Sequence, residues 1–219
     1  NYAQVLTTND SGINMGQAFI NSFIVTVPAT VIPILIAAFA AYAFTFMEWK
    51  GRDLVFVIIV GLLVVPNQVA LVPLLKLYSS LGLNGTFLAV WLAHIGFGMP
   101  LAVYILRNYM SSLPKAVIES AKIDGASHFT TFWRLIIPMS TPALASFAIF
   151  QFLWVWNDLL IALLFLGRGE NTIATVALQG LQGQTGQGRE LIPIIVPLMV
   201  FLSLQRYFIR GMTSGAVKG

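Results

Sequence analysis

A small set of polar and aromatic side chains lies within a long apolar run, where such groups are costly to place. Gln151, Trp154, Asn157 and Asp158 all fall between Ala143 and Leu166. Amides and carboxylates hydrogen-bond to hydroxyls, and an indole offers a flat apolar face, so this set can hold a molecule rich in hydroxyl groups. An ionisable residue at this depth must pair or face water. A second interpretation stays open, in which Asn157 and Asp158 cap a broken helix or bond to a neighbouring one.

Two other polar positions in apolar runs carry a weaker signal. Asn67 and Gln68 follow Pro66, and two amides beside a proline kink either line a path through the protein or satisfy backbone groups that the kink frees. His94 stands among small apolar residues, where a structural hydrogen bond is commoner than a proton relay. No metal site is indicated, because the two histidines are 34 positions apart and the sequence has no cysteine.

The segment from Leu113 to Pro142 is a long amphipathic interruption of the apolar sequence. Pro114 suits the first turn of a helix that continues to Asp124. Gly125 can take the left-handed conformation that closes a helix, and Ser127 can cap the start of another. The pattern therefore predicts two short helices around a tight corner.

The second of these helices carries one apolar stripe at helical spacing: Phe129, Phe132, Trp133 and Ile136. Pro138 and Pro142 are expected to end the helix, since proline lacks the N–H that continues it. The aromatic side chains of the stripe are expected to tie the segment to the membrane helices.

These residues resemble the "EAA" loop of ABC importer permeases. The matching positions are Glu119-Ser120-Ala121, Asp124-Gly125-Ala126, Phe132 and Ile137-Pro138. Ser120 departs from the alanine of the motif but remains small. The wider chain is similar to the maltose-transporter-like carbohydrate permeases at Asn21-Ser22, Tyr42-Ala43, Trp156-Asn157-Asp158 and Gln205-Arg206-Tyr207-Phe208.

The resemblance implies an all-α membrane subunit that imports a sugar or oligosaccharide by alternating access. Glu119 to Gly125 would dock on a partner ATPase, the spans would rock about their proline kinks, and ATP and Mg²⁺ would bind the partner, with no cofactor on this chain. The implied partners are a second, related permease subunit, two ATP-binding cassette subunits, an extracytoplasmic solute-binding protein and membrane lipid. Import of another small solute remains an alternative, as does an amphipathic helix lying on lipid in place of the docking loop.

Five apolar runs are predicted to span a membrane. Gln17 to Phe46 has no charged residue and exceeds the roughly 20 residues that a bilayer requires. Its prolines are expected to bend it, with neighbouring helices, Thr26 or Thr30 satisfying the freed carbonyls. The other predicted spans are Leu54–Leu75, broken at Pro66 to Gln68 and at Pro73; Phe87–Leu106; Ala143–Leu166; and Leu191–Leu204, which is short enough to indicate residues missing near Ile192 to Ile194.

Lysines and arginines indicate the orientation of these spans. If the segment 113–142 is cytoplasmic, nine of them share its side and three lie opposite, which the positive-inside rule favours. The nine are Lys50, Arg52, Arg107, Lys115, Lys122, Arg134, Arg206, Arg210 and Lys218; the three are Lys76, Arg168 and Arg189. An external N-terminal segment then predicts a sixth span before Asn1, within a single permease domain covering residues 1–219 of a bacterial or archaeal plasma membrane protein.

Composition excludes several classes of function. Of 219 residues 58% are hydrophobic and only 9% are charged, against about 25% charged in soluble domains. A net charge of +4, scattered along the chain, does not indicate nucleic-acid binding. No phosphate-binding glycine–lysine loop is present in the sequence, so a partner is expected to supply ATP hydrolysis. An ion-coupled transporter would require more buried acids than Asp158 and an inverted repeat, which we do not find.

Overall fold

The computed structural model describes residues 14–185, with the side chains of 14–179, and the two separate residues Met199 and Leu202. Every regular element among them is helical, which confirms the all-α prediction. The α-helices are α1 Met15–Phe46, α2 Arg52–Gly61, α3 Asn67–Ser80, α4 Phe87–Ser111, α5 Lys115–Ile123, α6 His128–Thr131, α7 Ile137–Met139, α8 Thr141–Asn157, α9 Leu160–Phe165 and α10 Ala174–Thr185. A 3₁₀ turn, Leu62–Val64, follows α2, and a π-helical segment, Phe132–Ile136, joins α6 to α7.

Helix α1 confirms the first predicted span and passes through both of its prolines. A proline lacks an N–H, so Pro28 and Pro33 free the carbonyls four residues earlier. Trp91 Nε1 donates to the Ile24 carbonyl at 3.0 Å, and Gln151 Nε2 donates to that of Ala29 at 3.1 Å. Side chains of other helices therefore satisfy both carbonyls, as predicted.

The predicted contribution of Thr30 to this helix is wrong. Its hydroxyl is buried and has no hydrogen-bond partner among the described residues. The freed Ala29 carbonyl is already occupied by the Gln151 amide, so the neighbouring helix takes the role expected of the threonine.

The second predicted span breaks at one proline only. Val65 and Pro66 have extended backbone, because a residue before proline avoids the helical region. Helix α3 then begins at Asn67 and runs through Pro73 to Ser80, so the predicted break at Pro73 is wrong. The predicted turn follows, with Gly82 and Gly85 at φ of +67° and +80°.

Helices α1 and α4 are each long and apolar enough to cross a membrane. Two further spans are present if α2 and the 3₁₀ turn are counted with α3, and α6–α7 with α8. The fourth predicted span is not continuous, since α8 ends at Asn157 and α9 starts at Leu160. The fifth, Leu191–Leu204, lies outside the described residues apart from two isolated positions.

The many glycines and glutamines from Gly167 to Glu190 predict a loop, and this prediction is wrong over part of its length, because helix α10 occupies residues 174–185. The glycine and glutamine content of this stretch favours a loop on propensity alone. Buried apolar contacts override it: Ile173, Val176 and Ala177 are each no more than 2% exposed.

Two compact units make up the described chain. The first unit comprises residues 14–31, 66–97 and 151–185, and the second comprises 32–65 and 98–150. The core of the first contains Tyr78, Val90, Val155 and Phe165. The core of the second is built around Ala37, Ala38 and Ala41, three fully buried alanines of α1, together with larger side chains from α4, α5 and the π-helical segment. Small residues allow close approach of helix backbones, which drives packing in membranes.

Candidate functional site

Helix α5 carries the predicted docking motif on a surface that is almost entirely free. Ile118 alone among its residues is buried, at 3% exposed, and packs in the core of the second unit. Glu119, Ser120 and Asp124 are exposed, while Ala121 is half-buried. Ile123, at 86% exposed, is a large apolar side chain with no cover from the described residues. Because Ile118 is the one buried residue of α5, the acidic Glu119 and Asp124 and the apolar Ile123 remain exposed.

The corner after α5 has the predicted geometry. Gly125 adopts φ of +79°, which an L side chain reaches only with strain. The amide of Ala126 then donates to the Ala121 carbonyl at 2.9 Å, closing the helix end. Ser127 Oγ accepts from Thr130 N at 3.2 Å and caps α6, also as predicted.

The second helix of the segment departs from the prediction beyond its first turn. It does not end before Pro138, because the chain widens into the π-helical segment and continues to Met139. Wider hydrogen bonding from residue i to i+5 lets a helix accommodate a proline that would otherwise clash with the preceding turn. The break comes at Ser140, and α8 begins at Thr141 with Pro142 in its first turn.

The π-helical segment also changes which aromatic residues are buried. Phe132 is 2% exposed and Ile136 is fully buried, whereas Phe129 is 69% and Trp133 40% exposed. The predicted single apolar stripe is therefore wrong, because its spacing assumed 3.6 residues per turn throughout. Phe132 and Ile136 fix the segment to the second unit, and Phe129 remains on the outer surface.

A joint of aromatic side chains connects this segment to the end of α1. Phe132 stacks on Phe39 with ring centroids 4.4 Å apart and meets Tyr42 edge-on at 5.5 Å. The Tyr42 hydroxyl and His128 Nδ1 lie 2.8 Å apart in a hydrogen bond. Trp133 contacts Phe39 at 5.9 Å. These ring contacts and the hydrogen bond thus join α6 and the start of the π-helical segment to the C-terminal half of α1. We name Phe39, Tyr42, His128 and Phe132 the aromatic joint.

The polar group of the first unit surrounds His94. Asp158 Oδ2 accepts from the amides of Ile161 at 2.9 Å and Ala162 at 3.2 Å, so it satisfies the first turn of α9. His94 Nε2 lies 3.8 Å from the same oxygen, and the Trp154 ring meets the imidazole edge-on at 5.3 Å. The geometry matches the interpretation of Asp158 as the cap of a broken helix.

The remaining members of the predicted pathway divide by exposure. Gln151 is fully buried, and its Oε1 has no hydrogen-bond partner among the described residues. Asn157 is exposed and donates to the carbonyl of Leu153, one turn back, at 2.7 Å. Asn67 is half-buried at the start of α3, and Gln68 is exposed. The structure therefore brings Gln151, Trp154 and Asp158 together around His94 and leaves two amides at the surface.

A second polar network fixes the chain before α10 to α1. Asn21 Nδ2 donates to the carbonyls of Glu170 and Thr172, each at 3.0 Å, and Ser22 Oγ accepts from Ala174 N at 2.9 Å. Asn21 and Ser22 thus hydrogen-bond across to the segment that leads into α10. Two side chains important to the sites were missed, His128 as a partner of Tyr42 and Trp91 as a partner of α1; a polar-tipped aromatic in an apolar run was the available signal.

Comparison with known proteins places this geometry in a family. Residues 19–214 match the family model described as "Binding-protein-dependent transport system inner membrane component". The chain is 56% identical to the osmoprotective compounds uptake permease protein GgtD of Synechocystis, over all of this chain and 74% of that protein. It is 53% identical to the alpha-glucoside transport system permease protein AglG of Rhizobium meliloti, again over all of this chain but only 60% of AglG.

More distant relatives share the same architecture. The trehalose/maltose transport system permease protein MalG of Thermococcus litoralis is 35% identical over the whole chain and 81% of MalG. A chain from the crystal structure of a bacterial ABC transporter involved in the import of the acidic polysaccharide alginate has the same fold. It superimposes with a TM-score of 0.68 at 20% identity, over all of this chain and 79% of that one. With its exposed motif helix, glycine corner and apolar spans, this chain belongs to the family of inner membrane components of binding-protein-dependent transport systems.

Proposed function

We propose that this chain is a permease subunit of an ATP-driven importer, that residues 113–142 couple it to its ATPases, and that its substrate is a carbohydrate or a related polyhydroxylated solute. The observation that carries the proposal is the two-sided character of the segment. Ile118, Phe132 and Ile136 are buried in the second unit, while Glu119 and Ile123 face outward.

The outer surface suits a protein groove better than lipid. Helices that lie on a bilayer have a basic polar face. Here the exposed face of α5 mixes Lys115 and Lys122 with Glu119 and Asp124, and its apolar tip, Ile123, is a single side chain and not a continuous stripe. A short amphipathic helix with one apolar anchor and flanking charges is typical of helix-in-groove docking.

Two ATP-binding cassette subunits, carrying ATP and Mg²⁺, would supply the energy, and this chain would bind no cofactor. A second permease subunit and an extracytoplasmic solute-binding protein would complete the importer. ATPase closure would press on the exposed residues Glu119, Ser120, Asp124 and Gly125, and Ala121 and Ala126 would pack beneath them. The aromatic joint would pass the movement to α1, with Phe132 as its buried centre and Pro138 just beyond the π-helical segment.

A single permease domain of five spans in this chain remains our proposal for the topology. The proposal is supported by contacts between loops that the lysine and arginine count assigns to the same side of the membrane. Arg107 and Lys115 line one cavity with Arg52 in the second unit. In the first unit, Asn171 Nδ2 donates to the Gly85 carbonyl at 2.7 Å, joining two turns predicted on the opposite side. We therefore place the segment 113–142 and the C-terminus in the cytoplasm.

The carbohydrate assignment is supported by AglG and MalG, whose names give an alpha-glucoside and trehalose or maltose. The exposed amides of Asn157 and Gln68 are the best placed of the predicted pathway residues to meet a solute, with Asn67 beside them. Gln151, Trp154 and Asp158 would stabilise the packing of the first unit and would not contact the solute. Uptake of a panel of labelled mono-, di- and oligosaccharides by the reconstituted importer identifies the substrate, and uptake of none of them while an unrelated solute is carried would contradict the assignment.

Replacing Ile123 with serine tests the docking surface. The side chain is already 86% exposed, so folding of the permease is expected to be unaffected. If it fills a groove on the ATPase, its loss removes about 1.5–3 kcal/mol of burial, equivalent to a roughly tenfold or greater loss of ATPase affinity. ATP hydrolysis stimulated by the loaded binding protein is expected to fall in parallel.

The matched control is Leu81→Ser, the same kind of change at a 61% exposed position in the turn between α3 and α4. This turn lies on the side that we assign to the exterior, so ATPase association should not change. Equal ATPase affinity for the wild type and Ile123→Ser would remove α5 from the interface.

A further inference from the structure

A cavity of about 290 Å³ opens in the second unit beside helix α5. Four cationic side chains line it: Arg52, Arg107, Lys115 and Lys122. Glu119 is the one carboxylate in the lining, so the cavity carries a formal charge of +3. Its volume lies at the lower end of the range typical of small-ligand sites, about 300–1,000 Å³.

Most of this positive charge has no acidic partner. Arg107 lies with its guanidinium carbon 4.5 Å from the centre of the Phe56 ring, and its buried Nε has no hydrogen-bond partner among the described residues. In the part of the second unit that the structure describes, the one acid–base pair within 4.0 Å joins Arg52 to its neighbour Asp53. A buried donor without an acceptor is costly, so the cavity is suited to an anion.

The cavity lies where two spans end. Phe46 is the last residue of α1 and Ser111 the last of α4, and both line it. Helix α2 begins beside it at Arg52 and has no buried residue; its apolar side chains Leu54 and Val57 are more than 60% exposed. This arrangement matches the two parts of a phospholipid. The cations at the ends of the spans suit its phosphate, which lies at the membrane interface, and the uncovered apolar helix α2 suits its acyl chains.

We propose that this cavity binds a phosphate group, supplied by an anionic phospholipid whose acyl chains lie along α2. Placement in the cytoplasmic leaflet, where such lipids are enriched, rests on the proposed function. The position of the site favours lipid over an acidic partner residue, because α2, whose apolar side chains are uncovered among the described residues, begins at the cavity with Arg52. Lys115 and Lys122 belong to α5, so an occupied site would contact the docking helix along the face that carries Ile118 and Glu119.

The test measures lipid retained by the complete importer, with its ATPases, in nanodiscs of phosphatidylcholine containing a minor fraction of phosphatidylglycerol. Native mass spectrometry counts the phosphatidylglycerol molecules that remain bound. Arg107→Gln and Lys115→Gln each remove one cation, and retention is expected to fall about fivefold for each and about 25-fold for the pair. Lys115 is exposed, so this variant tests the site even if Arg107→Gln folds poorly.

Arg134→Gln is the matched control, because this exposed arginine belongs to the same segment but does not line the cavity. Retention equal to wild type in the control, with loss in the cavity variants, supports the proposal. An equal loss in the control, or no loss in either cavity variant, overturns it. Unchanged lipid retention with weaker ATPase assembly would assign the cations to an acidic residue of the partner and would also overturn it.

A second arm separates the two sources of phosphate. In nanodiscs of phosphatidylcholine alone, inorganic phosphate is titrated and its binding followed by phosphorus NMR. Saturation of the cavity by inorganic phosphate at physiological concentration in these nanodiscs would overturn the lipid as the source. Lipid retention needs no ATP hydrolysis, so the two proposals fail separately. Normal coupling in Ile123→Ser overturns the docking proposal, whereas unchanged lipid retention in the cavity variants overturns the lipid proposal.

Discussion

The hydrogen bond between Tyr42 and His128 gives the most direct test of how movement leaves the docking segment. Tyr42→Phe removes one oxygen atom and leaves the ring, so the edge-on contact with Phe132 is retained. The buried ring of Tyr42 is 5% exposed, and no cavity is created in the core of the second unit. The substitution therefore removes the hydrogen bond of the aromatic joint and keeps its ring contacts.

The size of the effect follows from the geometry. The two atoms are 2.8 Å apart, a short hydrogen bond, and the His128 side chain is exposed, so water can replace the lost partner. A net cost of about 1 kcal/mol is expected for such a bond, equivalent to a roughly fivefold change in an equilibrium. If the joint transmits ATPase closure, solute transported per ATP should fall by about that factor, while assembly of the complex and its melting temperature change little.

The assay is transport and ATP hydrolysis in the same proteoliposomes, for Tyr42→Phe, His128→Ala and the double variant. Because both single changes break the same bond, the double variant should be no worse than the poorer single one. Tyr104→Phe is the control, since this exposed tyrosine of α4 makes no hydrogen bond through its hydroxyl among the described residues. Additive effects of the two changes, or an equal loss in Tyr104→Phe, would refute transmission through this bond.

Three further predictions concern the backbone of the same units. Gly125 and Gly51 have φ of +79° and +86°, and an alanine methyl group at either position would meet nothing within 4 Å. Replacing either glycine with alanine therefore adds only backbone strain and should destabilise the protein by about 1–2 kcal/mol in thermal melts. Only Gly125→Ala should also lower stimulated ATP hydrolysis. Trp91→Phe removes the donor to the Ile24 carbonyl and should lower the free energy of unfolding by about 1 kcal/mol beyond the loss of packing. This additional loss should vanish in a Pro28→Ala background, because the alanine N–H can donate to the Ile24 carbonyl instead. Asp158→Ala should destabilise by about 0.5–2 kcal/mol, whereas Asp158→Asn, which keeps an acceptor for the amides of Ile161 and Ala162, should retain most of the stability in the same melts.

Local signals in the sequence were sufficient for much of the docking segment. Gly125 and Ser127 take the conformations expected of them, because a left-handed corner and a helix cap depend on neighbours within four residues. The periodicity of α5 indicated an amphipathic helix, but not that Ile118 is its buried residue. The ends of α1 were predicted within two residues, since a long uncharged run leaves few alternatives.

Features that depend on pairs distant in sequence could not be obtained in this way. The hydrogen bond of Tyr42 with His128 joins residues 86 positions apart, and that of Trp91 with Ile24 joins residues 67 apart. The π-helical segment has a local cause, Pro138, but proline is compatible with several outcomes, a break among them. The sequence therefore predicted that the aromatic side chains of the segment would anchor it, but not that Phe129 would be left outside.

The satisfied prolines of α1 change the expected site of movement. A proline acts as a hinge when the carbonyl it frees stays unpaired or bonds only to water. In α1 the Ile24 carbonyl is held by Trp91 and the Ala29 carbonyl by Gln151, so bending at either proline would break a bond in an environment that offers no replacement. We infer that the prolines fix α1 to its neighbours. The candidate pivots are then the interruptions outside this helix. They lie at Val65 and Pro66 before α3, where the backbone is extended, and at Ser140 before α8, where the Ser140 amide still donates to the Ile136 carbonyl at 2.8 Å.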